Sequence, residues 1–176
     1  MPADLANDLL VDAFGRIRET VHQTVEGLSA AQLAARVDPD ANTIGWLVWH
    51  LTRVQDHHLA ELAGRTQVWQ SGDWAQRLGL DLGPQETGYG HSSAQVAAVR
   101  VSDPGQLVAY HDAVHDATVA FVRGLADEDY PRIVDRRWEP PVTMAVRLVS
   151  VISDDLQHAG QAAILRGVVE RTGVTG

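Results

Sequence analysis

The chain has 176 residues, with 14 basic side chains, all Arg, against 23 acidic ones, for a net charge of −9. An acidic surface opposes non-specific nucleic-acid binding, which needs an excess of cations facing phosphate. The absence of Cys excludes disulfides, thiolate zinc sites and a cysteine nucleophile. No apolar run approaches the roughly 18 residues of a bilayer span, and Met1-Pro2-Ala3-Asp4 lacks the basic start and apolar block of a signal peptide. These features predict one soluble, cytoplasmic domain over residues 1–176 that binds neither membrane nor nucleic acid.

Leu5, Leu9, Ala13, Ile17, Val21, Val25 and Leu28 fall three or four apart and predict a first long helix. Ser29 opens a short helical stretch over Ala30–Val37, which Pro39 stops. The second long helix is expected to begin after Asn42 or Thr43. It runs through Ile44, Leu47, Val48, Leu51, Val54, His58 and Leu62 to Gly64.

From Arg65 to Ser102 no long period is visible, and Gly88-Tyr89-Gly90-His91-Ser92 reads as a loop. So long a connection in a small domain is either a packed excursion or part of a functional site. Asp103-Pro104 starts the third long helix, whose stripe is Leu107, His111, Val114, Thr118, Phe121, Val122 and Leu125. Residues 127–141 are irregular; Arg132-Ile133-Val134 is at most a short extended segment, and no sheet is expected. Thr143 caps the fourth long helix, with Met144, Leu148, Val151, Asp155, His158, Ala162 and Leu165 on one face and Gly173 at its end. The sum is an all-α four-helix bundle with a long crossover between its second and third long helices.

Eight histidines and no cysteine direct attention to imidazole and carboxylate ligands. Asp154 and His158 stand four apart and share a helix face. They read either as a metal-binding pair or as a plain hydrogen-bonded pair. His111 and His115 have the same spacing and offer a rival clamp, or else a core histidine beside a solvated one. On the second long helix, periodicity favours His58 over His50 as the inward-facing imidazole, but composition does not choose between them. Gly88-Tyr-Gly-His-Ser-Ser matches half of a dinucleotide fingerprint and follows no strand. The five Trp suit core anchors and a pocket wall.

Asn42-Thr-Ile-Gly-Trp-Leu-Val-Trp-His50-Leu-Thr-Arg-Val-Gln-Asp56 resembles the second-helix motif of the DinB-like superfamily. Asp154-Asp-Leu-Gln-His158-Ala-Gly-Gln161 resembles its fourth-helix motif. Thr87-Gly-Tyr-Gly-His91 and Trp138-Glu-Pro-Pro-Val-Thr143 are similar to the actinobacterial mycothiol-transferase branch. The resemblance implies a four-helix bundle holding one divalent metal near one end, zinc first among the candidates and nickel another, through His50, Asp154 and His158. Many relatives carry His or Glu where this chain has Asp154, so Asp155 or a water stands as a substitute ligand. It further implies an S-transferase or related isomerase whose metal activates a small thiol, mycothiol foremost, towards an electrophile. Trp49, Tyr89 and His91 are expected to contact that thiol, and a homodimer through an exposed helix face is compatible with the sequence. A non-catalytic metal- or ligand-binding stress-response bundle and a metal-dependent hydrolase are the alternatives.

Overall fold

Residues 3–173 are described by a computed structural model; Met1-Pro2, read above for a leader, lies outside them. In chain order the elements are α1 (Ala3–Val25), α2 (Ala30–Leu33), α3 (Ile44–Ala63), α4 (Val68–Ser71), α5 (Trp74–Leu78) and α6 (Ser93–Ala98). There follow α7 (Pro104–Arg123), β1 (Ile133–Asp135), β2 (Val142–Thr143) and α8 (Met144–Thr172). The long helices α1, α3, α7 and α8 make the all-α bundle, in which α1 packs on α7 and α8, and α3 packs on α7 and α8. Among the described residues, no helix is long and apolar enough to cross a membrane.

Side-chain contacts fix the helix directions. His50 meets His158 while His58 meets Arg147, so α3 and α8 are antiparallel. Arg53 and Gln55 of α3 meet Tyr110 and Thr118 of α7, so those two helices run the same way. A parallel pair cannot be joined by a tight turn. The chain must return along the length of α3, roughly 30 Å for its 20 residues, and residues 64–103 make that journey. This is the physical reason for the long crossover, and α4, α5 and α6 bury part of its backbone polarity on the way.

The helix ends follow their caps. Ser29 and Ser92 form capping boxes with Gln32 and Gln95, and the Thr43, Asp103 and Thr143 side chains accept from the first turns of α3, α7 and α8. Left-handed Gly64 and Gly173 end α3 and α8. α2 is shorter than expected, ending at Leu33 with Ala34 as its C-cap, well before Pro39.

Two expectations need correction. Leu5 and Leu9 are half exposed, whereas Phe14, absent from the expected stripe, is buried with Ile17, Val21 and Val25. Steps of four residues overshoot each turn by about 40°, so the stripe drifts off the core-facing side when traced back from Ile17. The second correction is a two-stranded antiparallel ladder, β1 with β2, in the segment where no sheet was expected. It is anchored from outside itself: Met144 N–H donates to the Arg132 carbonyl, Ala145 N–H to the Tyr130 carbonyl, and buried Asp135 accepts from Arg147 at 3.0 Å. Those tertiary contacts leave no trace in local periodicity.

Candidate metal centre

Early in α3, Trp46, His50, Arg53 and His57 fall at helical spacing on the side covered by the crossover. Arg53 is wholly buried and makes hydrogen bonds with every guanidinium nitrogen. It donates to the Glu86 carbonyl (2.9 Å), the Pro84 carbonyl (3.1 Å), Gln67 Oε1 (2.8 Å), Tyr110 Oη (3.2 Å) and Asp56 Oδ2 (3.3 Å). Asp56, equally buried, accepts from the Val68 and Trp69 amides and from Tyr110. A buried ion pair of this kind is held only because its remaining hydrogen-bond capacity is met. Here the partners are crossover backbone groups, so the pair clamps the crossover onto α3.

The clamp delivers Thr87 and Gly88 to His50. The His50 Nδ1–H donates to the Thr87 carbonyl at 2.5 Å, which leaves the lone pair on Nε2. Burial lowers the pKa of His50, opposed by the Thr87 carbonyl and reinforced by His158, so the imidazole is neutral near pH 7. Trp46 stacks on the ring at 4.5 Å between centroids and 13° between planes. Its indole N–H donates to His91 Nδ1 (3.1 Å), and His91 Nε2–H donates to Glu86 Oε1 (3.0 Å). Gly88, at φ +88°, has no room for a methyl: an added Cβ would stand 2.8 Å from Trp49 and 3.0 Å from His50 Nδ1.

On α8, Asp154 and His158 face His50. Ligand atoms of the three residues lie within 4.8 Å of one another, and His158 Nε2 is 3.7 Å from Asp154 Oδ1. Two ligands about 2.1 Å from a tetrahedral ion stand about 3.4 Å apart, so this spacing suits a shared cation. His158 Nδ1–H donates to Gln161 Oε1 at 3.2 Å and turns its Nε2 lone pair towards the group. Asp154 Oδ2 is shielded from solvent and makes no hydrogen bond. Two imidazole lone pairs, each oriented through its other nitrogen, and one unsatisfied carboxylate oxygen are a donor set that fits a divalent ion such as zinc.

The other candidates fall elsewhere. Asp155 is wholly buried with neither oxygen hydrogen-bonded, its carboxyl pushed well up by burial and by Asp154. His111 lies in the core with Nδ1 3.0 Å from Thr52 Oγ1, its pKa pushed down to about 3 by burial, and His115 sits beside Asp116. Neither joins the group. His58, favoured by periodicity, lines a cleft instead, and its Nδ1 accepts from Arg147 at 3.1 Å. His57, His58 and Glu61 also bring ligand atoms within 4.8 Å. A cation there would meet the Arg147 guanidinium, which makes that group a poor metal site.

A cleft of about 380 Å³ opens beside the group, lined by His50, His57, His58, Gln85, Ser150 and Asp154 among others. Tyr89 stands at its rim, 92% exposed, but Trp49 and His91 do not line it: Trp49 is core, and His91 is occupied holding the loop. Trp46, Trp69 and Trp74 are also buried, while Trp138 is exposed on the β1–β2 segment. Sequence reasoning missed Trp46, Thr87, Gly88 and the Arg53–Asp56 pair as supports of the group. A charged pair three apart in an otherwise largely apolar helix segment was the available signal.

The fold and this group define a class: a four-helix bundle with two imidazoles and one carboxylate converging from facing helices beside a cleft. Residues 9–171 match the mycothiol S-transferase family, and the chain belongs to that family. Its fold is shared by the crystal structure of a conserved protein from Enterococcus faecalis, with a TM-score of 0.87 and 28% identity, covering 94% of this chain and 97% of that one. The curated proteins give no match.

Proposed function

We propose that the protein is a metal-dependent S-transferase that uses mycothiol, with one divalent ion, zinc foremost, held by His50, Asp154 and His158. The observation that carries this reading is the convergence of the three donors beside a cleft that His50 and Asp154 line, with both imidazole Nε2 lone pairs left free. When bound, such an ion holds a thiol as its thiolate near neutral pH.

The chain's own residues supply the rest. Thr87 and Gln161 each hold one histidine's Nδ1 proton, so both rings present Nε2 without reorganisation. Trp46 fixes the plane of the His50 ring, and the Arg53–Asp56 clamp keeps Thr87 in place. With no Cys in the chain, the nucleophilic sulfur arrives with the cosubstrate. In the transfer, sulfur bonds to the electrophilic carbon, the leaving group departs with its electron pair, and the thiol proton passes to solvent. We assign this chemistry to the cytoplasm, where small thiols are kept reduced.

The test is a pH–rate profile with mycothiol and chlorodinitrobenzene. A thiol held as thiolate gives a rate nearly flat from pH 6.5 to 8, whereas a free thiol of pKa about 8.5 gives a rate rising roughly tenfold per unit over the lower part of that range. Turnover of a substrate without any thiol would replace this reading with metal-assisted hydrolysis.

A further inference from the structure

Away from the three donors, the cleft runs along α3 to His57 and His58, whose hydrogen bonds define their tautomers. Gln67 Oε1 accepts from Arg53 at 2.8 Å, which fixes the amide orientation. Its nitrogen therefore faces His57 Nδ1 and Gln85 Oε1, both at 3.3 Å. An amide nitrogen only donates, so His57 Nδ1 accepts and its proton is on Nε2. Arg147 Nη1 lies 3.1 Å from His58 Nδ1 and 3.5 Å from its Nε2. A guanidinium likewise only donates, so the nearer Nδ1 holds the lone pair and His58 is also the Nε2–H form. Burial first, then Arg147, pushes the His58 pKa down to about 4.

The far part of the cleft wall thus offers two neutral imidazole N–H donors, with the Gln85 amide and the Ser150 hydroxyl beside them. Arg147 is paired with Asp135 at 3.0 Å. Seven or eight residues beyond His50 on one helix is roughly 10–12 Å along its axis. A cysteinyl amide spans roughly 6 Å from sulfur to its N-substituent, so this distance falls on the group appended to the cysteine. Neutral donors suit hydroxyl oxygens and give no advantage to carboxylates.

We propose that His57 and His58 form the subsite for the neutral polyhydroxyl end of the thiol and select the full-length thiol over a truncated one. The proposal rests on the thiol-transferase reading above.

The experiment compares mycothiol with N-acetylcysteine, which lacks the sugar and cyclitol, in the wild type and in His57→Phe, His58→Phe and His57→Gln. Each Phe variant should raise KM for mycothiol by about tenfold, the loss of one or two hydrogen bonds, with kcat little changed. Gln, whose amide nitrogen stands near the lost Nε2–H, should recover most of it. kcat/KM for N-acetylcysteine should stay within about twofold throughout. A second readout needs neither metal nor turnover: titrating N-acetylglucosaminyl-inositol, whose nitrogen is a neutral amide as in the thiol, into metal-free protein should shift the imidazole nitrogen resonances of His57 and His58. If the wild type transfers no thiol yet these resonances shift, the transferase reading fails and the subsite stands. If mycothiol is transferred but the Phe variants keep its KM, or lose equally with both thiols, the subsite is wrong and the transferase reading stands.

Discussion

Gly88→Ala tests whether the crossover positions His50. The new methyl would stand 2.8 Å from Trp49 Cζ3, 3.0 Å from His50 Nδ1 and 3.2 Å from Trp46 Cζ2, on a backbone at φ +88°. Trp49 is wholly buried and packed against Trp69 and His91, so it has nowhere to go. The loop and the His50 ring must move apart, which breaks the bond to the Thr87 carbonyl. A left-handed non-glycine residue costs roughly 1–2 kcal/mol and overpacking roughly 1–3 kcal/mol. The expected loss is therefore about 3 kcal/mol, read from the urea midpoint. Zinc affinity should fall about 10- to 100-fold by calorimetry, as when a ligand's supporting hydrogen bond is lost. Gly90→Ala is the control: φ is +75°, but an added Cβ meets nothing within 4 Å. It should lose about 1–2 kcal/mol and keep its zinc affinity. Equal behaviour of the two variants would refute the argument.

Further expectations follow from the same geometry. His50→Ala and His158→Ala should each lose stoichiometric zinc by elemental analysis, while His111→Ala and His115→Ala retain it; zinc held by a His50→Ala/His158→Ala double variant would sink the assignment. Arg53→Met leaves Asp56 buried without its cation and should cost about 3–5 kcal/mol; limited proteolysis should then cut first within residues 84–91, and an intact crossover would contradict the clamp. His111 has a folded-state pKa near 3 against about 6.5 unfolded. The folded state binds fewer protons, so this contribution is complete above pH 6.5 and is lost as pH falls towards 3. Between pH 6.5 and 4.5 that is about 2 kcal/mol, and His111→Gln should flatten the urea-stability profile by about that amount. An unchanged slope would show that another group carries the acid sensitivity.

How much of this was legible beforehand differs from residue to residue. Asp103-Pro104, Thr143, Gly64 and Gly173 mark helix ends because capping is local chemistry, and the observed ends agree. Asp154 and His158 share a face because four residues are about one turn. His50 was a different matter. A 3.6-residue period finds the side of α3 that faces the other long helices, but α3 is buried on a second side by the crossover, where Trp46, His50 and Arg53 lie. Periodicity therefore favoured His58, and only the resemblance to a known motif pointed to His50. The β1–β2 ladder and the short helices of the crossover escaped for a related reason. They are stabilised by contacts with distant residues, such as Asp135 with Arg147 and Asp56 with Val68 and Trp69.

The central claim is that an ion held by His50, Asp154 and His158 activates a thiol for transfer. Titrating zinc into metal-free protein while recording the conjugation of mycothiol to chlorodinitrobenzene tests it in one experiment. The rate should climb linearly to one equivalent and then stay level, and His158→Ala should show no rise. A rate indifferent to zinc, or a rise that survives loss of His158, would contradict the claim.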